Sequence, residues 1–113
     1  MCNKNQLHAI TTTVAAKSAE LLNTKLQTVI LYGSYARGDY DEQSDIDIMI
    51  LADIPADLCW KYTSLLADCL TDLELCYDVV ISAHIVSSSV FDDYRHALPF
   101  YRNVDKEGIQ IAV

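Results

Sequence analysis

Glycine and proline are scarce in this chain of 113 residues, with three and two copies, and no stretch is dominated by a few residue types. That scarcity argues against a collagen-like or linker-rich polypeptide and leaves no place to draw a domain boundary. Cys2, Cys59, Cys69 and Cys76 include no CxxC pair, and three of them lie in apolar segments, so free buried thiols are expected rather than zinc ligands or a disulfide framework. The polar start, Met1 to Gln6, is not followed by the apolar run of a signal peptide or membrane helix, which predicts a cytoplasmic protein with no membrane partner. Positive charge is also in short supply. Eight Lys and Arg stand against sixteen Asp and Glu, and the net charge of −8 repels a nucleic-acid backbone, so direct nucleic-acid binding is disfavoured.

What is present is ordinary globular material, 51% hydrophobic and 21% charged. A chain of this size folds as one domain, here residues 1–113, and buries roughly two thirds of the surface its unfolded form exposes. Its acidity is concentrated: Asp39, Asp41, Glu42, Asp45 and Asp47 fall within nine residues. Solubility alone does not require such a cluster.

Leu7, Ile10, Val14, Ser18, Leu21 and Leu22 follow helical spacing, predicting an amphipathic helix from about Gln6 to Leu26. Val29 to Tyr32 is a buried-strand pattern stopped by Gly33, and Ile46 to Leu51 reads as a second strand. Asp53 and Pro55 supply helix-start chemistry, after which Leu58, Tyr62, Leu65, Leu66, Cys69 and Leu70 recur on one face. Tyr77 to Ala83 is rich in β-branched residues and reads as a third strand. One of Ser87, Ser88 and Ser89 is expected to cap a short helix reaching about His96, Pro99 to start another that closes at Gly108, and Ile109 to Val113 to add an edge strand. The class is α/β (α+β): a small sheet flanked by helices.

Two short segments carry the chemistry. In the first, Gly33 and Ser34 leave a strand and enter a helical turn, where unpaired backbone N–H groups and a small hydroxyl suit a phosphate. No Gly-Lys-Ser/Thr ending follows, so this is not a P-loop. In the second, Asp45 and Asp47 lie two apart on a strand and present their carboxylates to the same side, while Ile46, Ile48 and Ile50 face the core. Like charges so placed repel unless a cation joins them, and hard oxygen ligands suit Mg²⁺, which fills its octahedron with water and substrate phosphates. Either segment alone is commonplace: Gly-Ser is a frequent turn, and Asp-x-Asp is often a solvated strand edge. A calcium loop through Asp39, Asp41 and Gln43 fails because Ser44 stands at the turn-glycine position and Ile50 at that of the bidentate Glu.

Two metals about 4 Å apart need a further shared ligand, and an acceptor hydroxyl needs a proton sink. Asp78 is the candidate: as the start of the third strand it faces away from Tyr77, Val79 and Ile81, whereas Asp72 and Glu74 precede the strand as loop residues.

Gly33-Ser34, ten residues, then Asp45-Ile46-Asp47 resembles the signature of the DNA polymerase β-like nucleotidyltransferase superfamily. The Gly-Ser-Tyr-Ala-Arg-Gly form and the Pro99-Phe100-Tyr101-Arg102-Asn103-Val104 ending are similar to the minimal nucleotidyltransferases, the MntA-like antitoxins of HEPN/MNT pairs. The resemblance implies a mixed sheet with helices mainly on one face and the catalytic carboxylates on the other. It implies ATP as donor with two Mg²⁺ ions, metal ligation by Asp45, Asp47 and Asp78, and nucleotide binding by Gly33 and Ser34. Arg37 matches a common motif position, and an equal reading is an ion pair to the acidic loop. The implied reaction is transfer of AMP to a tyrosine of a partner HEPN-type toxin. A binding-only antitoxin and a transferase for a small molecule of the aminoglycoside type are the rival readings, and homo-oligomerisation is left open. His8, His84 and His96 form no ligand spacing and are expected as surface or locally bonded residues, and Trp60, Tyr94 and Tyr101 as core rather than a partner-facing aromatic patch.

Overall fold

The computed structural model describes residues 2–111. Its first helix, α1 (Lys4–Leu22), begins with a capping box: the Asn3 side chain accepts from Gln6 N–H at 2.8 Å, and Gln6 Oε1 accepts from Asn3 N–H at 3.0 Å. Ile10, Val14, Ser18 and Leu22 form its buried stripe, where Ser18 satisfies its hydroxyl on the Val14 carbonyl at 2.7 Å. The helix ends before Leu26, because Asn23 takes φ +52° and a 3₁₀ turn (Asn23–Lys25) leads into the sheet.

Four strands follow: β1 (Leu26–Tyr32), β2 (Ile46–Ala52), β3 (Ile81–Ser87) and β4 (Ile109–Ile111), in the order β3-β2-β1-β4. β1 pairs antiparallel with β2 and β4, while β2 and β3 run parallel, so the sheet is mixed. Parallel neighbours require a crossover, and α3 (Cys59–Tyr77), entered through a 3₁₀ turn (Ala56–Leu58), supplies it.

The alternation of β2 divides the molecule. Ile46, Ile48 and Ile50 are wholly buried with Val29, Leu31, Ile81, Ala83 and Ile85 under α1 and α3, forming the larger core. On the other face Ile30, Met49 and Leu51 meet Phe91 of α4 (Ser88–Tyr94) and Val104 of α5 (Pro99–Glu107) in a smaller one. Pro99 occupies the first turn of α5, as its missing N–H allows, and the helix closes at Gly108. The expected tail strand is β4, with Ala112 and Val113 outside the described residues.

Three expectations are corrected. The third strand starts at Ile81 rather than Tyr77, because α3 continues through Asp72, Glu74 and Tyr77, so these are helical and not loop or strand residues. Asp78 terminates that helix in the left-handed conformation, φ +54° and ψ +53°, a place usually given to Gly but tolerated by Asp. Cys76 is exposed, not buried, although Cys2 is buried, Cys59 and Cys69 are half-buried, and all four are free. Trp60 and Tyr94, at 69% and 47% exposure, are not core residues; Tyr101 alone of the three aromatics packs inward, against the smaller core.

Candidate active site

The site grows from the end of β1. After Tyr32 the chain turns through Gly33, φ +73° and ψ −155°, into the single helical turn α2 (Ser34–Arg37). Ala36 and Arg37 both donate to the Gly33 carbonyl at 3.1 Å, which leaves the N–H groups of Ser34 and Tyr35 at the open end of the turn. Gly38, φ +88°, closes it, and Tyr35 anchors it: buried at 5% exposure, that ring stacks on Tyr40 with centroids 4.3 Å apart.

Antiparallel pairing places Tyr32 opposite Asp47 and brings the carboxylate against the turn. The approach is so close that a Cβ added at Gly33 would overlap Asp47 Oδ2 and lie 3.2 Å from its Cγ. Glycine is therefore required at position 33 by both its backbone angles and its neighbour. Asp45 precedes β2 with the same parity as Asp47, as the alternation of buried Ile46 and Ile48 demands. Burial pushes the Asp47 carboxyl above its ordinary value, and repulsion from Asp45 pushes it further, while His84 and Arg37 oppose the shift. Tyr32 is also raised, by burial and then by the Asp47 charge.

The acidic cluster now separates into jobs. Asp39 Oδ2 accepts from Arg37 Nε at 3.2 Å, and Asp41 Oδ1 accepts from Gln43 N–H at 2.9 Å, tying the loop into a turn that Ser44 Oγ secures by accepting from Asp41 N–H at 3.0 Å. Arg37 also reaches Glu107 Oε2 of α5 with Nη1 at 3.4 Å, so its charge is shared between the loop and the last helix. The ion-pair reading of Arg37 is thus realised. The same side chain lines a cavity of about 210 Å³ with Gly33, Tyr32, Phe100, Asn103, Val104 and Glu107.

Asp78 is not on the strand face beside Asp47. From the α3 cap it shares with Asp45 a cavity of about 190 Å³ that Tyr35, Glu42, Gln43 and Ser44 also line. Among the described residues no three His, Cys, Asp or Glu side chains gather closely enough to hold one ion. The strand positions facing the site are instead Ser82 and His84, which sequence reasoning did not select: Ser82 is in register with Asp47, and its Oγ lies 3.2 Å from His84 Nε2. Alternation within Ile81–Ser87 would have revealed them had the strand been started correctly.

The carboxylate pair meets the requirements of Mg²⁺. Two hard oxygen donors lie close together, Asp45 exposed and Asp47 half-buried, and Asp47 is destabilised in its charged form by burial and by Asp45.

Residues 16–108 match the family described as nucleotidyltransferase domain. Two Methanocaldococcus jannaschii proteins, both named "putative protein adenylyltransferase", are 43% and 35% identical over 84 and 91 residues, covering 74% and 80% of this chain and 76% and 84% of theirs. A solved "putative minimal nucleotidyltransferase" superimposes with a TM-score of 0.63 at 23% identity, with 97% of each chain covered.

Proposed function

Because the chain belongs to the nucleotidyltransferase-domain family, we propose that it transfers AMP from ATP, with Mg²⁺, to a hydroxyl group of a partner protein, a tyrosine of a HEPN-type toxin, and so acts as an antitoxin in the cytoplasm. The observation that carries this reading is the packing of the Gly33 turn against Asp47, so close that a Cβ at position 33 would overlap the carboxylate.

Asp45 and Asp47 would hold the metal, which lowers the acceptor's pKa and neutralises charge developing at the α-phosphate. Ser34 and the open N–H groups of its turn orient the departing phosphates. Arg37, between Asp39 and Glu107, is placed to hand part of its charge to a phosphate at the Gly33 cavity. Asp78 receives no metal in this reading, since the strand parity that recommended it is not that of the fold.

Protein adenylylation is favoured over a small-molecule acceptor by the names of the two archaeal relatives. The HEPN partner rests on the resemblance of the Gly33 to Gly38 and Pro99 to Val104 segments. Incubating the chain with a HEPN-type partner and Mg-ATP, then weighing both intact proteins, tests the proposal. Adenylylation adds about 329 Da to the chain that carries it. A partner that is bound and silenced without gaining mass would favour inhibition by occlusion.

A further inference from the structure

The third strand offers the site a hydroxyl where a carboxylate was expected. Ser82 is register partner to Asp47 on adjacent parallel strands, whose backbones lie about 4.8 Å apart. Alternation turns Ser82 and His84 to the face of Asp47, away from buried Ile81, Ala83 and Ile85. Ser82 is half-buried and His84 exposed, and β3 is an edge strand, so the pair opens to solvent and to whatever the carboxylates bind. Ser82 Oγ lies 3.2 Å from His84 Nε2, and in the tautomer with its proton on Nδ1 the imidazole accepts the serine proton. A serine hydrogen-bonded to a base is the arrangement that makes a poor nucleophile competent.

We propose that Ser82 is itself an acceptor, and that this chain adenylylates its own Ser82 with His84 as the base, an inference that rests on the nucleotidyltransferase reading above. Ser82 Oγ attacks the α-phosphorus of ATP, an Oγ–P bond forms, the bond from that phosphorus to the bridging oxygen breaks, and pyrophosphate leaves. The serine proton passes to His84 Nε2 and from the exposed ring to water. The product places a phosphodiester and an adenosine beside Asp47, where added negative charge and bulk oppose a second donor, so the modification limits itself to one.

The purified chain incubated alone with Mg-ATP provides the test, using wild type, Ser82→Ala and His84→Gln. Wild type is expected to gain about 329 Da once, mapped by fragmentation to the peptide containing Ser82. Ser82→Ala should gain nothing, and His84→Gln should react at least tenfold more slowly. Wild type that binds a non-hydrolysable ATP analogue but gains no mass overturns self-modification and leaves transfer to a partner standing. An adduct that maps to another residue and persists in Ser82→Ala overturns Ser82 as the acceptor and leaves the transferase reading standing. Absence of both analogue binding and adducts on any partner overturns the inference together with the reading beneath it.

Discussion

Gly33→Ala is the sharpest perturbation of this site, because one methyl group tests both the turn and the metal pair. At φ +73° and ψ −155° the backbone is in a region almost confined to glycine, and holding alanine there costs about 1–3 kcal/mol. The new Cβ also collides with Asp47 Oδ2. Relief requires the Asp47 side chain to leave its rotamer, for about 0.5–1.5 kcal/mol. Together these give a loss of about 2–4 kcal/mol from a native stability on the order of 5–15 kcal/mol, or roughly 10–20 °C in melting temperature for a domain of this size. Displacing Asp47 should weaken Mg-ATP binding in parallel. Gly38→Ala is the control: φ is +88° but nothing lies within 4 Å of the added Cβ, so it should cost about 1–2 kcal/mol and leave binding intact. The double variant Gly33→Ala/Asp47→Ala removes the collision, and a double-mutant cycle should return a coupling of about 0.5–3 kcal/mol. Thermal melts and calorimetric titration with Mg-ATP supply every value. Wild-type binding in Gly33→Ala, or zero coupling in the cycle, would refute the contact between turn and carboxylate.

Asp45→Ala and Asp47→Ala should each lower the transfer rate on the order of a thousandfold without unfolding the protein, and unchanged turnover in both would remove the metal assignment. In Mg²⁺-free buffer Asp47→Asn should be more heat-stable than wild type at neutral pH. The folded-state pKa of Asp47 is raised, so wild-type stability declines as pH climbs from the ordinary carboxylate value through the raised one. The gap between the two melting curves should therefore shrink in acid, and a gap that widens there would contradict the burial and repulsion described. Asp78→Asn should fold as wild type, because Asn also accepts the left-handed cap, whereas Glu74→Ala should lose about 1 kcal/mol with its bond from Ile81 N–H at 3.0 Å. A melting curve for each separates them, and the reverse order would mean that the α3–β3 junction is misread.

The carboxylate pair was legible because β2 alternates without interruption: Ile46, Ile48 and Ile50 can face only the core, which fixes Asp45 and Asp47 on the other side. The start of β3 was not. Tyr77-Asp78-Val79-Val80 has strand composition, yet the helix before it reaches Tyr77 and stops on an Asp in place of the usual Gly. What decides the boundary is non-local: Glu74 accepts from Ile81 N–H, and the Val80 carbonyl accepts from Ile46 N–H at 2.9 Å, clamping strand entry to helix exit. Ser82 went unseen for the same reason, and His84 was read only as a surface or locally bonded histidine, since the pair acquires meaning only from the β2–β3 register. Trp60 was misplaced because an aromatic at helical spacing says nothing about whether anything covers it.

The pairing of Tyr32 with Asp47 sets which changes of length this protein can absorb in evolution. Residues added between Gly38 and Ser44 lengthen a surface loop, and a loop must double before its closure costs about 0.6 kcal/mol more. A single residue inserted within β2 ahead of Asp47 has a different effect. It turns every later side chain over, sending Asp47 toward the α1 and α3 core and the isoleucines into the smaller core that Met49 and Leu51 now fill. Descendants of this chain should therefore vary freely in the distance from Ser34 to Asp45 while always keeping a single residue between Asp45 and Asp47.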